Sequence, residues 1–113
     1  MKREVGLFID DILDTIKKIE SFSKGMVKED LSKDKLKQYA LVRAIEIIGE
    51  ASRNVPDNFR KKYLDVPWKE MVGMRDIVAH SYFKLDLDKV WKVIKQDIPD
   101  LKKKIQKVKE DLE

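Results

Sequence analysis

Apolar residues recur every three or four positions along almost the whole chain, which is the period of one face of an α-helix. Val5, Phe8, Ile9, Ile12, Ile16 and Ile19 mark one face of a first helix over about residues 3–21. A polar connection comes next, with Gly25 and the cluster Ser32-Lys33-Asp34. The period resumes for a second helix over about residues 35–54. Its apolar arc holds Leu36, Ala40, Leu41, Ala44, Ile45, Ile47, Ile48 and Ala51. That is about half the girth of the helix, the mark of a central element. Asn54-Val55-Pro56-Asp57 ends it, and a short helical piece is expected over about 57–64. Pro67 opens the next helix, because proline suits a first turn. Asp86 is the expected N-cap of a last run whose apolar positions are Leu87, Val90, Trp91, Ile94, Ile98, Leu101, Ile105, Val108 and Leu112. Pro99 must kink or restart that run, since it has no amide to donate. With no strand signal, repeat or low-complexity tract, the pattern predicts an all-α, up-and-down bundle with a core of four to five helices.

Composition narrows the picture. The 113 residues are expected to form one domain, 1–113. Apolar residues make up 42% and charged residues 41%, which suits a small, soluble, helix-rich protein. A core of this size lies near the margin where oligomerisation helps. There is no cysteine, so neither a disulfide frame nor a thiolate metal site can form. One histidine leaves any zinc site dependent on carboxylates, so no metal and no cofactor is expected. Met1-Lys2-Arg3-Glu4 runs straight into the amphipathic pattern without a signal peptide or membrane span, so the expectation is a cytoplasmic protein. The net charge of +4 permits a nucleic-acid partner without requiring one. The excess lysines alternate with acids, and the bland reading of such charge is solubility.

The candidate chemistry gathers in Arg75-Asp76-Ile77-Val78-Ala79-His80-Ser81-Tyr82, which holds the one histidine. Histidine both takes and gives protons near neutral pH, and arginine is the side chain best shaped to clamp phosphate. Together they suggest chemistry on a phosphodiester. Trp68, Arg75 and Tyr82 are seven apart and share one helical stripe, flanked by Met71, Val72, Val78 and Ala79. A guanidinium beside an apolar face needs a carboxylate, a phosphate or both. One candidate carboxylate is Glu50, on a second-helix stripe with Arg43, Ile47 and Asn54. Glu50 would hold Arg75, and Asn54 would add a hydrogen bond. The competing reading is an exposed Glu50 engaged locally with Arg43 or Asn54. Asp76 lies four before His80, where a carboxylate orients an imidazole. Arg75 and His80 are about 140° apart around a regular helix, so either the helix unwinds near His80 or two chains meet at a C2 axis. Taken singly, Arg75 and His80 are more often structural than catalytic. Gly49 and Gly73 interrupt their helices, either to allow close backbone approach or because they are tolerated.

At these residues the chain resembles a known family. Arg75 to Tyr82 has the form R-x-x-x-x-H-x-Y of HEPN domains, and specifically of the HepT-like toxins. Ile47-Ile48-Gly49-Glu50-Ala51 is similar to the family's second-helix segment. Pro67 through Arg75 resembles its lead-in to the active site, and Asp86-Leu87-Asp88-Lys89-Val90-Trp91 resembles the family's segment after the motif. The resemblance implies a HEPN-like, all-helical homodimer that acts as a metal-independent endoribonuclease. It implies a partner, a minimal nucleotidyltransferase of the MNT type that serves as antitoxin and attaches AMP to the motif tyrosine, here Tyr82.

The side chains suggest the chemistry. RNA carries its own nucleophile, the 2′-hydroxyl; His80 would deprotonate it or protonate the leaving 5′-oxygen. Arg75 would bind the phosphate and stabilise charge developing on it, with Asp76 orienting His80 or positioning Arg75. The alternative is a non-catalytic helical module that docks a nucleotidyltransferase or a nucleotide, with Arg75 and His80 structural or phosphate-binding. A neighbouring gene for a small nucleotidyltransferase would favour the toxin–antitoxin reading. RNA cleavage by purified protein would separate the two readings.

Overall fold

In a computed structural model the chain folds as an antiparallel helical bundle. The structure describes residues 2–79 and 86–113, and their side chains except those of residues 2, 3, 75 and 77–79. The helices are α1 (Lys2–Ser23), α2 (Lys28–Lys33), α3 (Lys35–Arg53), α4 (Asp57–Arg60), α5 (Trp68–Ala79), α6 (Leu87–Lys92) and α7 (Ile98–Leu112). A π-helical segment, Val93–Asp97, joins α6 to α7. The described residues contain no strand, in keeping with the predicted all-α class.

The apolar period decides what is buried. Ile9, Ile12, Ile16 and Ile19 of α1 are fully buried, as are Leu41, Ile45 and Ile48 of α3 and Ile105 of α7. Each such side chain contributes roughly 1.5–3 kcal/mol by leaving water. α1 packs against both α3 and α7, and α3 packs against both α1 and α5. Cross-links set the directions. The Lys37 ammonium, in the first turn of α3, donates to the carbonyl of Phe22 near the end of α1 (2.6 Å). Lys109 pairs with Asp10 and Lys102 with Glu20, so α7 also runs antiparallel to α1. α5 and the last run line one groove, with Glu70, Gly73 and Met74 from α5 and Val93, Asp97 and Leu101 from the last run.

Several local devices lie beyond the reach of the apolar period. The stretch expected to be a polar connection contains α2. Leu31, its one apolar residue, is fully buried, and Gln38 of α3 donates to the carbonyls of Leu31 (2.8 Å) and Ser32 (3.3 Å). A helix of six residues leaves its last carbonyls unpaired, and the buried amide supplies two of the missing donors. Gly25, at φ +75°, makes the reversal before α2 in a conformation that suits glycine. Asn54 caps α3 as the sequence suggests, and α3 ends at Arg53. The guanidinium of Arg60 then donates to the carbonyls of Ser52 (2.7 Å) and Val55 (2.9 Å), a cation at a helix C-terminus. Leu36, expected on the apolar arc, is 77% exposed. It lies in the first turn of α3, where α2 covers the opposite side through Gln38 and Leu31.

The last run is neither broken nor restarted at Pro99. A proline clashes with the carbonyl four residues back and cannot bond to it. Here the turn before it widens, and the amide of Ile98 reaches the carbonyl of Val93, five residues back. Pro99 then occupies the first turn of α7, where no amide is needed. Asp86 caps α6 as expected, its carboxylate accepting from the amide of Lys89 (3.2 Å).

Candidate active site

α5 is the scaffold of the motif. Its start is fixed by Trp68, whose indole N–H donates to the carbonyl of Tyr63 (3.0 Å). Tyr63 itself packs on Phe59, ring centroids 5.1 Å apart. Burial pushes the Tyr63 phenol up, and the negative charge of Asp111 on α7 adds to the shift, so the α4–α5 connection lies beside the end of the bundle's last helix. Trp68, Met71 and Met74 are buried, and together they define the face of α5 turned to the core. At 100° per residue the Cα of Arg75 falls about 20° from that of Trp68, inside this buried arc. Asp76 falls outside it and is exposed.

Arg75 is helical, four residues before the end of α5. Its side chain, and the whole of His80 and Tyr82, lie outside the described residues, as do the expected contacts among them. The described residues on either side of that segment are Ala79, the end of α5, and Asp86, the cap of α6. The next turn of α6 carries Asp88, which is ion-paired with Lys28 of α2. The start of α6 thus lies at the end of the bundle that carries α2 and the α1–α2 turn.

The stripe on α3 is described at Arg43, Glu50 and Asn54, while the expected contact of Glu50 with the Arg75 side chain lies outside the described residues. Glu50 lies about 180° around α3 from buried Leu41, on the solvent side of the helix. Its carboxylate is 3.8 Å from the Arg43 guanidinium. Arg43 also bonds to Glu46, a residue outside the expected stripe although it lies only three positions from Arg43. The Asn54 side-chain amide donates to the backbone carbonyl of Glu50 (3.0 Å). Arg43, Glu50 and Asn54 thus engage one another locally. Among the described residues nothing lies within 4 Å of where a Cβ of Gly73 would project.

An all-α bundle whose fifth helix carries an arginine four residues before its end, with a histidine just beyond that end in the sequence, is the architecture expected of a HEPN-type domain. The comparison with protein families agrees. The family model described as ribonuclease HepT-like matches residues 12–108, and the chain belongs to that family. It is 44% identical over 109 residues to a protein of Thermococcus cleftensis named "Probable ribonuclease HepT", covering 96% of this chain and 99% of that one. It is also 44% identical over 105 residues to a "Putative RNase" of Methanocaldococcus jannaschii, covering 93% and 96%. A third relative, from the same organism, is named "Gamma-glutamylcyclotransferase and putative RNase"; it is 44% identical over the full chain, which spans 51% of its length. No solved structure matches the chain significantly. Among the described residues no helix is long and apolar enough to cross a membrane.

Proposed function

We propose that the protein is a metal-independent endoribonuclease, and the toxin of a pair whose antitoxin is an MNT-type nucleotidyltransferase. The observation that carries this reading is the motif Arg75–Asp76–His80–Tyr82 lying within the matched family region, 12–108. The 2′-hydroxyl oxygen attacks the adjacent phosphorus, the bond from phosphorus to the 5′-oxygen breaks, and the hydroxyl proton ends in solvent or on the leaving oxygen. His80 moves one of these protons, and Arg75 holds the phosphate and its growing charge. Exposed Asp76 is available to orient the imidazole or position the arginine. Arg75 arises on a buried arc, so its charge calls for a counter-charge, and bound phosphate supplies one.

A homodimer fits the 140° separation of Arg75 and His80, with the C2 axis near α5 bringing both residues of each chain to one cleft. Tyr82, two residues beyond His80, is the acceptor of AMP. The added phosphate competes with RNA for Arg75 and obstructs the cleft.

The test is RNA cleavage by purified wild-type, Arg75→Ala and His80→Ala proteins, with helicity checked by circular dichroism. The expected result is cleavage by the wild type and its loss in both variants at unchanged helicity. Wild-type rates from a folded His80→Ala protein would remove His80 from the mechanism, and an inactive wild type would favour the binding-module reading.

A further inference from the structure

A second feature occupies the same end of the bundle as the start of α6. Where α1 turns into α2 and α2 into α3, the surface forms an open basin of about 620 Å³ bordered by Lys24, Lys33, Lys35 and Lys37. Its two carboxylates are already engaged. Asp30 accepts from the amide of Val27 (2.9 Å) and Asp34 from the amide of Lys37 (3.0 Å), each holding a helix start. Lys37 is spent on the Phe22 carbonyl. Among the described residues Lys24, Lys33 and Lys35 have no carboxylate within ion-pairing distance, and all three are exposed. Beside them stands Tyr39, 76% exposed and one turn along α3 from Lys35 on the same face. A large aromatic left in water next to unpaired cations is the combination that binds single strands: the cations track phosphates and the ring stacks on a base.

The basin and the start of α6 both border α2. Lys33 borders the basin, and Lys28, on another side of the same helix, pairs with Asp88 just after the motif's connection. One helix diameter, about 10 Å, separates the two sides.

We infer that Lys24, Lys33, Lys35 and Tyr39 form a docking site for single-stranded RNA, leading a strand across α2 towards the start of α6. The site binds phosphodiester backbone through the lysines and one base through Tyr39. The inference rests on the ribonuclease reading for its choice of RNA.

The test separates binding from cleavage by using a short fluorescent RNA with 2′-O-methyl groups, which lacks the attacking hydroxyl. Affinity for the full-length protein is measured against salt. Lys33→Glu/Lys35→Glu should weaken binding by tenfold or more, and the slope of log affinity against log salt should fall by about 0.7 for each phosphate no longer neutralised. Tyr39→Ala should weaken it by about fivefold or more. Lys61→Glu/Lys62→Glu, with the same charge change at the opposite end, should leave it within about twofold. Wild-type affinity in either site variant, or an equal loss in the opposite-end control, overturns the inference. So does a protein that ignores RNA and binds phosphatidylserine vesicles through the same lysines. An unmodified RNA that is bound through these residues but never cut would sink the nuclease reading and leave the docking site standing.

Discussion

Replacing Gln38 with methionine removes one donor pair and little else. The Gln38 amide is buried and bonds to the carbonyls of Leu31 and Ser32, the last turn of α2. Methionine has a similar reach and no N–H. The Leu31 carbonyl then stays buried without its partner, which costs about 1–3 kcal/mol. A helix of six residues does not persist on its own propensity. It is held by this amide, by the fully buried Leu31 side chain and by the surface pair of Lys28 with Asp88. The loss should therefore appear first as opening of α2, not as unfolding of α1 and α3. A cost of about 2 kcal/mol speeds exchange through local opening by about thirtyfold. The thermal midpoint should fall by no more than roughly 4–8 °C per kcal/mol lost. Hydrogen exchange read by mass spectrometry on peptides from 27–38, against peptides from α1, measures the contrast. Unchanged exchange in α2 with a midpoint within about 1 °C of wild type would refute the view that Gln38 holds this helix.

Cleavage should survive EDTA, with a bell-shaped pH profile if a second group titrates in range; activity lost in chelator and restored by magnesium would reveal a carboxylate metal site. Incubation with the cognate nucleotidyltransferase and ATP should place AMP on Tyr82 and silence cleavage, while Tyr82→Phe keeps at least part of the activity and escapes this control; mass spectrometry showing no adduct, or full activity with one, would contradict it. The hydrogen bond from Lys109 to Asp10 raises the lysine's pKa above its ordinary 10.5 against an opposing pull from burial. Whatever stability the pair adds is then present below the unfolded lysine's value and is lost as pH rises through the raised folded value, so the midpoint difference between wild type and Lys109→Met should vanish in strong alkali. A difference that grows with pH would contradict that assignment.

The long helices are legible in the sequence because burial on one face imposes a period, and α1, α3, α5 and α7 each carry one. α2 is not, since six residues with a single apolar side chain have no period to read. Leu36 shows the limit of the period itself: it shares the spacing of buried residues but sits where α3 has no neighbour on that side. The widened turn before Pro99 is half legible; the proline announces a disturbance, but the choice among kink, break and π-turn depends on keeping Val93, Ile94, Ile98 and Leu101 in one core. Glu50 is ambiguous in sequence because a stripe at the edge of an apolar arc faces either way; in the structure it is exposed, 3.8 Å from the Arg43 guanidinium. Side-chain chemistry and spacing single out Arg75, His80 and Tyr82 as groups that can act together, but they do not say how an interrupted helix end orients them.

The central claim is that this chain cuts RNA by the strand's own 2′-hydroxyl, with His80 moving the proton. The most direct measurement is the chemistry of the ends left by purified protein on a defined RNA, beside the same strand with one 2′-deoxynucleotide at the cut position. The account predicts a 2′,3′-cyclic phosphate and a 5′-hydroxyl from wild type, no cut at the deoxy position, and no product from folded His80→Ala. A 5′-phosphate end, or cleavage at the deoxy position, would contradict it.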